Sequence, residues 1–424
     1  MLEKLLFIHC GCKVNQYETN AMAEGFKKNG YEVVEYEEYA DIYVVNTCTV
    51  TNMSDRKSRQ ILRRAKEINP EAILCAVGCY VQVAKEELAK IEEIDLILGN
   101  NDKKHIIEKV EEMLETKEKM FQVSNMLDER KYTEWEYTAY TDKARAEIKI
   151  QDGCDRYCTY CIIPYARGPV RSRKIQDICN EIKRIVDTGI KEIVITGIHI
   201  SSYGKDLENK PTLIDLLEKI NEIDGVERIR LGSLEPLIIT EEFVVRLKKL
   251  DKICNHFHLS LQSGCDATLE RMNRRYTTEE FRNIVKILRC NIDEVALTTD
   301  VIVGFPGETD EEFEVTYKFL EEIKFSKMHV FKYSPRKGTK ASAFPNQVDG
   351  KIKDERSESL IKLSQKNEIE FAEQYLNKEI NVLFENEHDG HTTNYIEVYS
   401  EEERKPNSLV DVFVKKQDNG VIYC

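Results

Sequence analysis

The chain has 424 residues, 41% hydrophobic and 33% charged, long enough for two to four domains and too apolar for wholesale disorder. No apolar run reaches membrane-spanning length and the first residues lack the pattern of a signal peptide, so a cytoplasmic protein with no membrane partner is expected. A net charge of −14 excludes binding of nucleic acid by overall attraction, so any RNA must be met by local basic patches.

Short apolar runs alternate with helical patterns over residues 1–118, the signature of a parallel α/β sheet. Strands are predicted at Leu5–Cys10, Tyr31–Val34, Asp41–Asn46, Ala72–Val77 and Leu96–Leu98. Helices are predicted near Glu18–Lys28, Ser54–Ile68, Gln82–Ile91 and Lys103–Lys117, giving a flavodoxin- or Rossmann-like domain. Cys12, Cys48 and Cys79 each follow a strand directly. The carboxyl ends of parallel strands share one edge, where ligands bind, so the three thiols are expected to converge. Cys10 and Cys75 fall inside strands and read as packing thiols; the bland alternative is that all five are small buried hydrophobes. Periodicity fades over 119–143, a linker or covering arm that holds the only tryptophan, Trp135.

From 144 to 350 strand and helix alternate six times. Strands are predicted at Glu147–Gln151, Glu192–Thr196, Glu227–Gly232, His256–Leu261, Val295–Val303 and Met328–Tyr333, a partial (β/α)6 barrel too short to close as a full one. Two helices begin with capping boxes, Thr277 with Glu280 and Thr309 with Glu312. Residues 351–424 read as a helix at Asp354–Tyr375 and then a small β-barrel. Its strands are expected at Glu379–Phe384, Tyr395–Tyr399, Leu409–Lys415 and Gly420–Tyr423, with turns at Asp389–Gly390 and Asp418–Asn419.

The loop after the first barrel strand carries Cys154, Cys158 and Cys161 in a C-x3-C-x2-C spacing. A cubane [4Fe-4S] cluster has four irons, so three thiolates on one loop leave one iron open to a ligand. Zinc sites usually pair C-x2-C units or add histidine, and no histidine lies in this loop. The same count of three at Cys12, Cys48 and Cys79 suggests a second open cluster. Thirteen cysteines therefore read as metal ligands plus buried thiols in a reducing compartment.

The loop resembles that of the radical S-adenosylmethionine (SAM) enzymes, and both triplets in this order resemble the methylthiotransferases among them. That likeness spans essentially the whole chain and implies an amino-terminal cluster domain, a radical SAM partial barrel and a terminal TRAM β-barrel. The segments Gly11–Thr19, Val45–Thr51, Asp55–Arg59 and Ser260–Asp266 point to the branch acting on tRNA that carries N6-threonylcarbamoyladenosine beside the anticodon. Lys13, Val14 and Asn15 match neither of the tripeptides typical of the branches acting on isopentenyladenosine or on a ribosomal-protein aspartate. Those two branches stay open as alternatives, as does a non-catalytic iron–sulfur protein that binds RNA.

The resemblance implies two [4Fe-4S] clusters, on Cys12, Cys48 and Cys79 and on Cys154, Cys158 and Cys161. One SAM methylates sulfur held at the first, and a second SAM, cleaved at the other, yields the radical that activates carbon 2 of the adenine. Tyr160, Gly197, Glu235, Gln262, Ile302 and Gly304 are the expected SAM contacts. The implied partners are the tRNA anticodon loop, splayed open, and an electron donor such as flavodoxin or ferredoxin, with the enzyme a monomer. Candidate RNA contacts are Arg56, Lys57 and Arg59 after Cys48, Arg167 and Arg171 after the radical loop, and Arg274 and Arg275 after the fourth barrel strand. From Glu368 onward five basic residues face thirteen acidic ones, a net −8 that does not suit an RNA-binding module.

Overall fold

A computed structural model describes residues 3–34, 39–135 and 144–424. The first sheet is wholly parallel: β1 (Lys4–His9), β2 (Glu32–Val34), β3 (Ile42–Thr47), β4 (Ile73–Gly78), β5 (Leu96–Leu98) and β6 (Met120–Gln122), in the spatial order 2-1-3-4-5-6. That is the flavodoxin order with one strand added. The connections are α1 (Lys13–Lys28), α2 (Asn52–Ile68), the short α3 (Cys79–Val83) and α4 (Lys85–Leu88), and α5 (Ile106–Thr116). Every residue of β3 is buried, as covering both sheet faces requires. One core joins Leu5, Phe26, Val44 and Val110, with Cys75 packed among them; the other joins Leu6, Tyr43, Leu62 and Ala76.

Two features depart from expectation. Met120–Gln122 extends the sheet past residue 118; it is a three-residue edge strand with Phe121 and Gln122 exposed, too short to show a period. The helix expected at Gln82–Ile91 is two short pieces, because the backbone at Ala84 turns to φ −128° and ψ 33°. Residues 136–143 of the predicted arm lie outside the described residues. Trp135, just before them, packs against both the first sheet and the next core.

The second unit runs through β7 (Arg145–Asp152), α6 (Ile163–Arg167), β8 (Arg171–Ser172), α7 (Ile175–Val186), β9 (Glu192–Gly197), α8 (Leu213–Asn221) and β10 (Arg228–Leu231). It continues with α9 (Glu241–Leu247), β11 (His256–His258), α10 (Asp266–Arg271), α11 (Thr278–Asn291), β12 (Ala296–Val303), α12 (Asp310–Ile323) and β13 (Lys327–Lys332). All six predicted strands are present and parallel. They form two sheets, β7-β9-β10 and β11-β12-β13, joined by the parallel bridges Ile229 to Ile253 and Leu234 to Leu259. Thr277 and Glu280 make their reciprocal capping box. Thr309 accepts from the Glu312 amide, but the Glu312 carboxylate is taken by Arg271 instead of returning to the cap.

The helix α13 (Gly350–Glu373) lies along β13, the Ser364 hydroxyl accepting from the Met328 amide at 2.9 Å. The last sheet holds β14 (Glu379–Phe384), β15 (Asp389–Thr392), β16 (Glu397–Tyr399), β17 (Ser408–Phe413), β18 (Lys416–Asp418) and β19 (Val421–Tyr423), in the order 17-14-15-16-19-18 around its own core. Asp389 and Gly390, expected in a turn, instead open β15. No helix among the described residues is long and apolar enough to cross a membrane.

This sheet docks on the amino ends of β9 and β10, opposite the edge that carries the cysteine loops. Arg230 donates to Glu192 at 2.7 Å and to the Thr393 carbonyl at 2.9 Å, and Arg228 donates to the His391 carbonyl at 2.9 Å. Burial pushes the Glu192 carboxyl up, but Arg230, Arg145 and Arg228 outweigh it and hold the group at about 2 against an ordinary 4.5. Its stabilisation is thus complete above pH 4.5 and lost as pH falls towards 2. Glu192→Gln is expected to cost roughly 3 kcal/mol at neutral pH and to flatten the acid unfolding curve in that window. An acid titration followed by tyrosine circular dichroism checks this, and a parental profile would refute it.

Candidate active site between two cysteine triplets

The radical loop is shaped by close backbone contacts. Gly153 has φ +73°, and a Cβ there would lie 1.9 Å from the Pro169 carbonyl oxygen, so only glycine fits. The Cys154 amide donates to the Gly168 carbonyl at 3.0 Å and the Cys161 amide to the Cys158 carbonyl at 3.0 Å, folding the loop back on itself. Cys154 is buried, and Cys158 and Cys161 are half-buried. Burial pushes the Cys154 thiol up to about 11 and the Cys161 thiol to about 12, and the charge of Cys158 raises both further.

Residues at the strand ends close over this loop. Arg274 donates to Cys158 Sγ at 3.4 Å, to Glu235 Oε2 at 2.8 Å and to the Ser260 carbonyl at 2.9 Å. His199 Nε2 lies 3.4 Å from Arg156 Nε and 3.6 Å from Glu235 Oε2, while its Nδ1 is buried with no hydrogen-bond partner. Burial pushes the Glu235 carboxyl up, but His199 and Arg274 hold it below its ordinary range. Gly197 is needed for the local turn, since a Cβ would meet Ile200 at 2.9 Å and the Gln151 carbonyl at 3.0 Å. Gln262 has φ +71° and its backbone bridges to Val301. Tyr160 and Ile302 pack on the apolar cluster of Met272, Phe305 and Tyr333. Gly304 is different: the Lys353 side chain fills the space beside it, 2.3 Å from where a Cβ would stand, so its missing side chain is explained by α13.

The other triplet lies on the carboxyl edge of the first sheet, Cys12 at the N-cap of α1, Cys48 after β3 and Cys79 opening α3. Cys12 faces open space, yet the surrounding walls push its thiol up; burial pushes Cys48 to about 12, and the charge of Cys79 raises both. The three sulfurs therefore share one neighbourhood. Gly11, at φ +95°, permits it, because a Cβ there would sit 2.4 Å from Cys48 Sγ. Gly11→Ala is expected to cost about half of the bound iron while leaving SAM cleavage intact. Metal analysis of the reconstituted protein checks this, and full iron content would count against the convergence.

Among the described residues, the three side chains whose donor atoms all lie within 4.8 Å of one another are Glu387, His388 and Glu403, not either cysteine triplet. A single zinc ion with Zn–S bonds of about 2.3 Å would hold thiolates closer than that.

Two contacts tie the triplets together. Arg167, on the helix that follows Cys161, donates from Nε to Cys79 Sγ at 3.1 Å, and Asn100 Nδ2 approaches the same sulfur at 3.6 Å. Arg336, after β13, pairs with Asp55 at 2.6 Å and donates to Asn52 and Thr49 in the Cys48 loop. Beneath lies a buried ionic network. Glu18 accepts from Lys103 at 2.5 Å, Lys149 at 2.7 Å and Arg167 at 2.6 Å, and Asp152 accepts from Lys149 at 2.6 Å and Arg167 at 3.2 Å. None of Glu18, Lys103, Lys149 or Arg336 stands out in the sequence, since a buried charge on an amphipathic helix has the same spacing as a solvated one.

Three expected RNA contacts are thereby corrected. Arg167 is 0% exposed and spent on Glu18, Asp152, Asn15 and Cys79; Arg171 is buried on the Arg167 and Pro169 carbonyls; Arg274 is committed to Glu235 and Cys158. Arg56, Lys57 and Arg275 are exposed, and Arg59 is half-buried on Tyr80 and Glu87. A cavity of about 780 Å³ lies far from this chemistry, beside Ala144, Glu385 and His388, and contains no cysteine.

Residues 148–320 match the Radical SAM superfamily, and residues 4–99 match Uncharacterized protein family UPF0004. In fold the chain is similar to the radical SAM methyltransferase TsrM from Kitasatospora setae, with a TM-score of 0.61 at 14% identity over 81% of this chain and 77% of that one. The matched model and the fold together define a radical SAM domain over residues 148–320. The chain is 44% identical over 397 residues to the threonylcarbamoyladenosine tRNA methylthiotransferase MtaB of Bacillus subtilis (strain 168), covering 92% of this chain and 88% of that one. It is 42% identical to MtaB of Aquifex aeolicus (strain VF5), over 97% and 100%, and 37% identical to the tRNA-2-methylthio-N(6)-dimethylallyladenosine synthase of Thermoanaerobacter sp. (strain X514), over 90% and 83%. It belongs to the radical SAM methylthiotransferases, in their MtaB branch.

Proposed function

We propose that this enzyme places a methylthio group on carbon 2 of N6-threonylcarbamoyladenosine at position 37 of tRNA. The observation that carries the reading is the adjacency of the two triplets, with Arg167 of one cysteine loop on the Cys79 sulfur of the other. Cys12, Cys48 and Cys79 hold an auxiliary [4Fe-4S] cluster, and Cys154, Cys158 and Cys161 hold the radical SAM [4Fe-4S] cluster. When bound, these clusters and SAM supply the electron, the sulfur and the methyl group.

The chain's own residues then shape the space. The partnerless Nδ1 of His199 and the ionised Glu235 offer polar contacts to SAM, and Tyr160 and Ile302 form an apolar wall suited to adenine. Gln262 fixes the strand end beside them. Tyr157 and Tyr165, 41% and 40% exposed, meet edge to face at 5.9 Å on the radical loop and offer stacking surface to unpaired bases. Arg56, Lys57 and Arg275, with the half-buried Arg59, supply phosphate contacts on the rim.

The organisation we adopt is an amino-terminal cluster domain extending through β6, a radical SAM partial barrel to residue 350, and a connecting helix with a TRAM module over 351–424. The net charge of −8 from Glu368 onward and the sheet's seat opposite the cysteine edge fit anchoring better than reading of the base. The enzyme acts as a cytoplasmic monomer reduced by a flavodoxin or ferredoxin.

Anaerobic reconstitution with iron, sulfide, SAM and a reductant tests the reading. Formation of 5′-deoxyadenosine, with methylthiolation of an anticodon stem-loop carrying threonylcarbamoyladenosine in preference to one carrying isopentenyladenosine, is expected. The opposite preference would reassign the substrate, and no 5′-deoxyadenosine at all would leave only a structural iron–sulfur protein.

A further inference from the structure

We infer that Arg167 is a positioning residue for the auxiliary cluster, its Nε–H bonding the Cys79 sulfur and holding that cluster's reduction potential up; this rests on the reading of Cys12, Cys48 and Cys79 as cluster ligands. The guanidinium is wholly buried, and four of its contacts are accounted for by neighbours at its two outer nitrogens. Nη1 donates to Glu18 and Asp152, and Nη2 to Asn15 and Glu18. Nε alone is turned to sulfur, at 3.1 Å. The planar fork cannot rotate to change that assignment without breaking the carboxylate bonds.

The surrounding charges point the same way. Lys103, Lys149, Arg167 and Arg171 are all buried around only two buried carboxylates, Glu18 and Asp152. Two positive charges in excess, out of water, call for an anion close by. A thiolate-ligated cluster beside Arg167 provides one, and the Asn100 amide adds a second donor to the same sulfur. Hydrogen bonds to a ligand sulfur favour the more negative, reduced state of a cluster and so raise its potential. Arg167 leaves the helix that directly follows Cys161, so the same short segment holds one site's ligands and tunes the other's.

The test uses the full-length protein with both sites loaded, about eight irons per chain at four per cluster. An anaerobic redox titration followed by electron paramagnetic resonance, with SAM added to shift the radical cluster's signal, reads the auxiliary midpoint separately. Arg167→Gln is expected to move that midpoint to more negative potential. Arg167→Lys keeps a positive charge between Glu18 and Asp152, and hence the fold, but its single nitrogen cannot serve Glu18, Asp152, Asn15 and the sulfur as the three guanidinium nitrogens do; drawn to the carboxylates, it is expected to shift the midpoint in the same direction. An unchanged midpoint in a Lys variant with full iron content overturns the inference and leaves the ligand assignment standing. A parent that never loads more than about four irons overturns the ligand assignment itself.

Discussion

A full-length variant carrying Cys154→Ala, Cys158→Ala and Cys161→Ala is expected to retain about half of the parental iron and to form no 5′-deoxyadenosine. The variant carrying Cys12→Ala, Cys48→Ala and Cys79→Ala is expected to retain the other half, to go on cleaving SAM, and to make no methylthio product. The asymmetry follows from the geometry. His199, Glu235, Tyr160 and Ile302, the candidate SAM contacts, gather around the radical loop with Arg274 on its Cys158, whereas the auxiliary triplet is lined by Gly11, Asn100 and Arg167. Each triplet also stands on its own backbone, so loss of one leaves the other's loops in place. Iron analysis with chromatography of SAM products distinguishes the two variants. Cleavage of SAM by the first, or full iron content in either, would contradict the assignment.

Glu18→Gln is expected to destabilise the protein by about 3–5 kcal/mol, because it leaves Lys103, Lys149 and Arg167 buried around a neutral amide. Glu18 lies on α1, six residues after Cys12 at the helix start, while Lys149 and Arg167 belong to the second unit and Lys103 to the first. The carboxylate therefore joins the two halves of the site as well as neutralising them. The loss is expected to appear as a lowered midpoint in denaturant unfolding together with weaker protection of the α1 amides from hydrogen exchange. Unfolding within about 0.5 kcal/mol of the parent would show that the network is not the joint we take it to be.

Much of the site is legible in the residues themselves. The loop of Cys154, Cys158 and Cys161 stands out by its spacing, and Cys12, Cys48 and Cys79 by their shared position after parallel strands, an edge that the topology makes common to them. The six barrel strands are readable because each is an apolar run bounded by helical patterns. What escapes is whatever depends on which way a charged side chain turns. Arg167, Arg171 and Arg274 have the sequence density of a phosphate-binding patch, yet all three point inward onto carboxylates, carbonyls and sulfur. Glu312 has the position of a capping carboxylate but pairs with Arg271 on the neighbouring helix, a long-range partner that no local pattern contains. Gly304 has the Lys353 side chain against the space a Cβ would take, a neighbour from a distant helix that no local pattern contains. The short strands β6 and β15 carry too few residues to establish a period.

The central claim is that the two triplets serve one reaction on the hypermodified adenosine beside the anticodon. Mass spectrometry of tRNA nucleosides, from cells in which this gene is the sole member of its branch and has been deleted, tests it most directly. The account predicts that 2-methylthio-N6-threonylcarbamoyladenosine disappears, that N6-threonylcarbamoyladenosine accumulates in its place, and that the gene with all six cysteines restores the product while either triple-alanine variant does not. Persistence of the methylthio nucleoside in the deletion strain would contradict it.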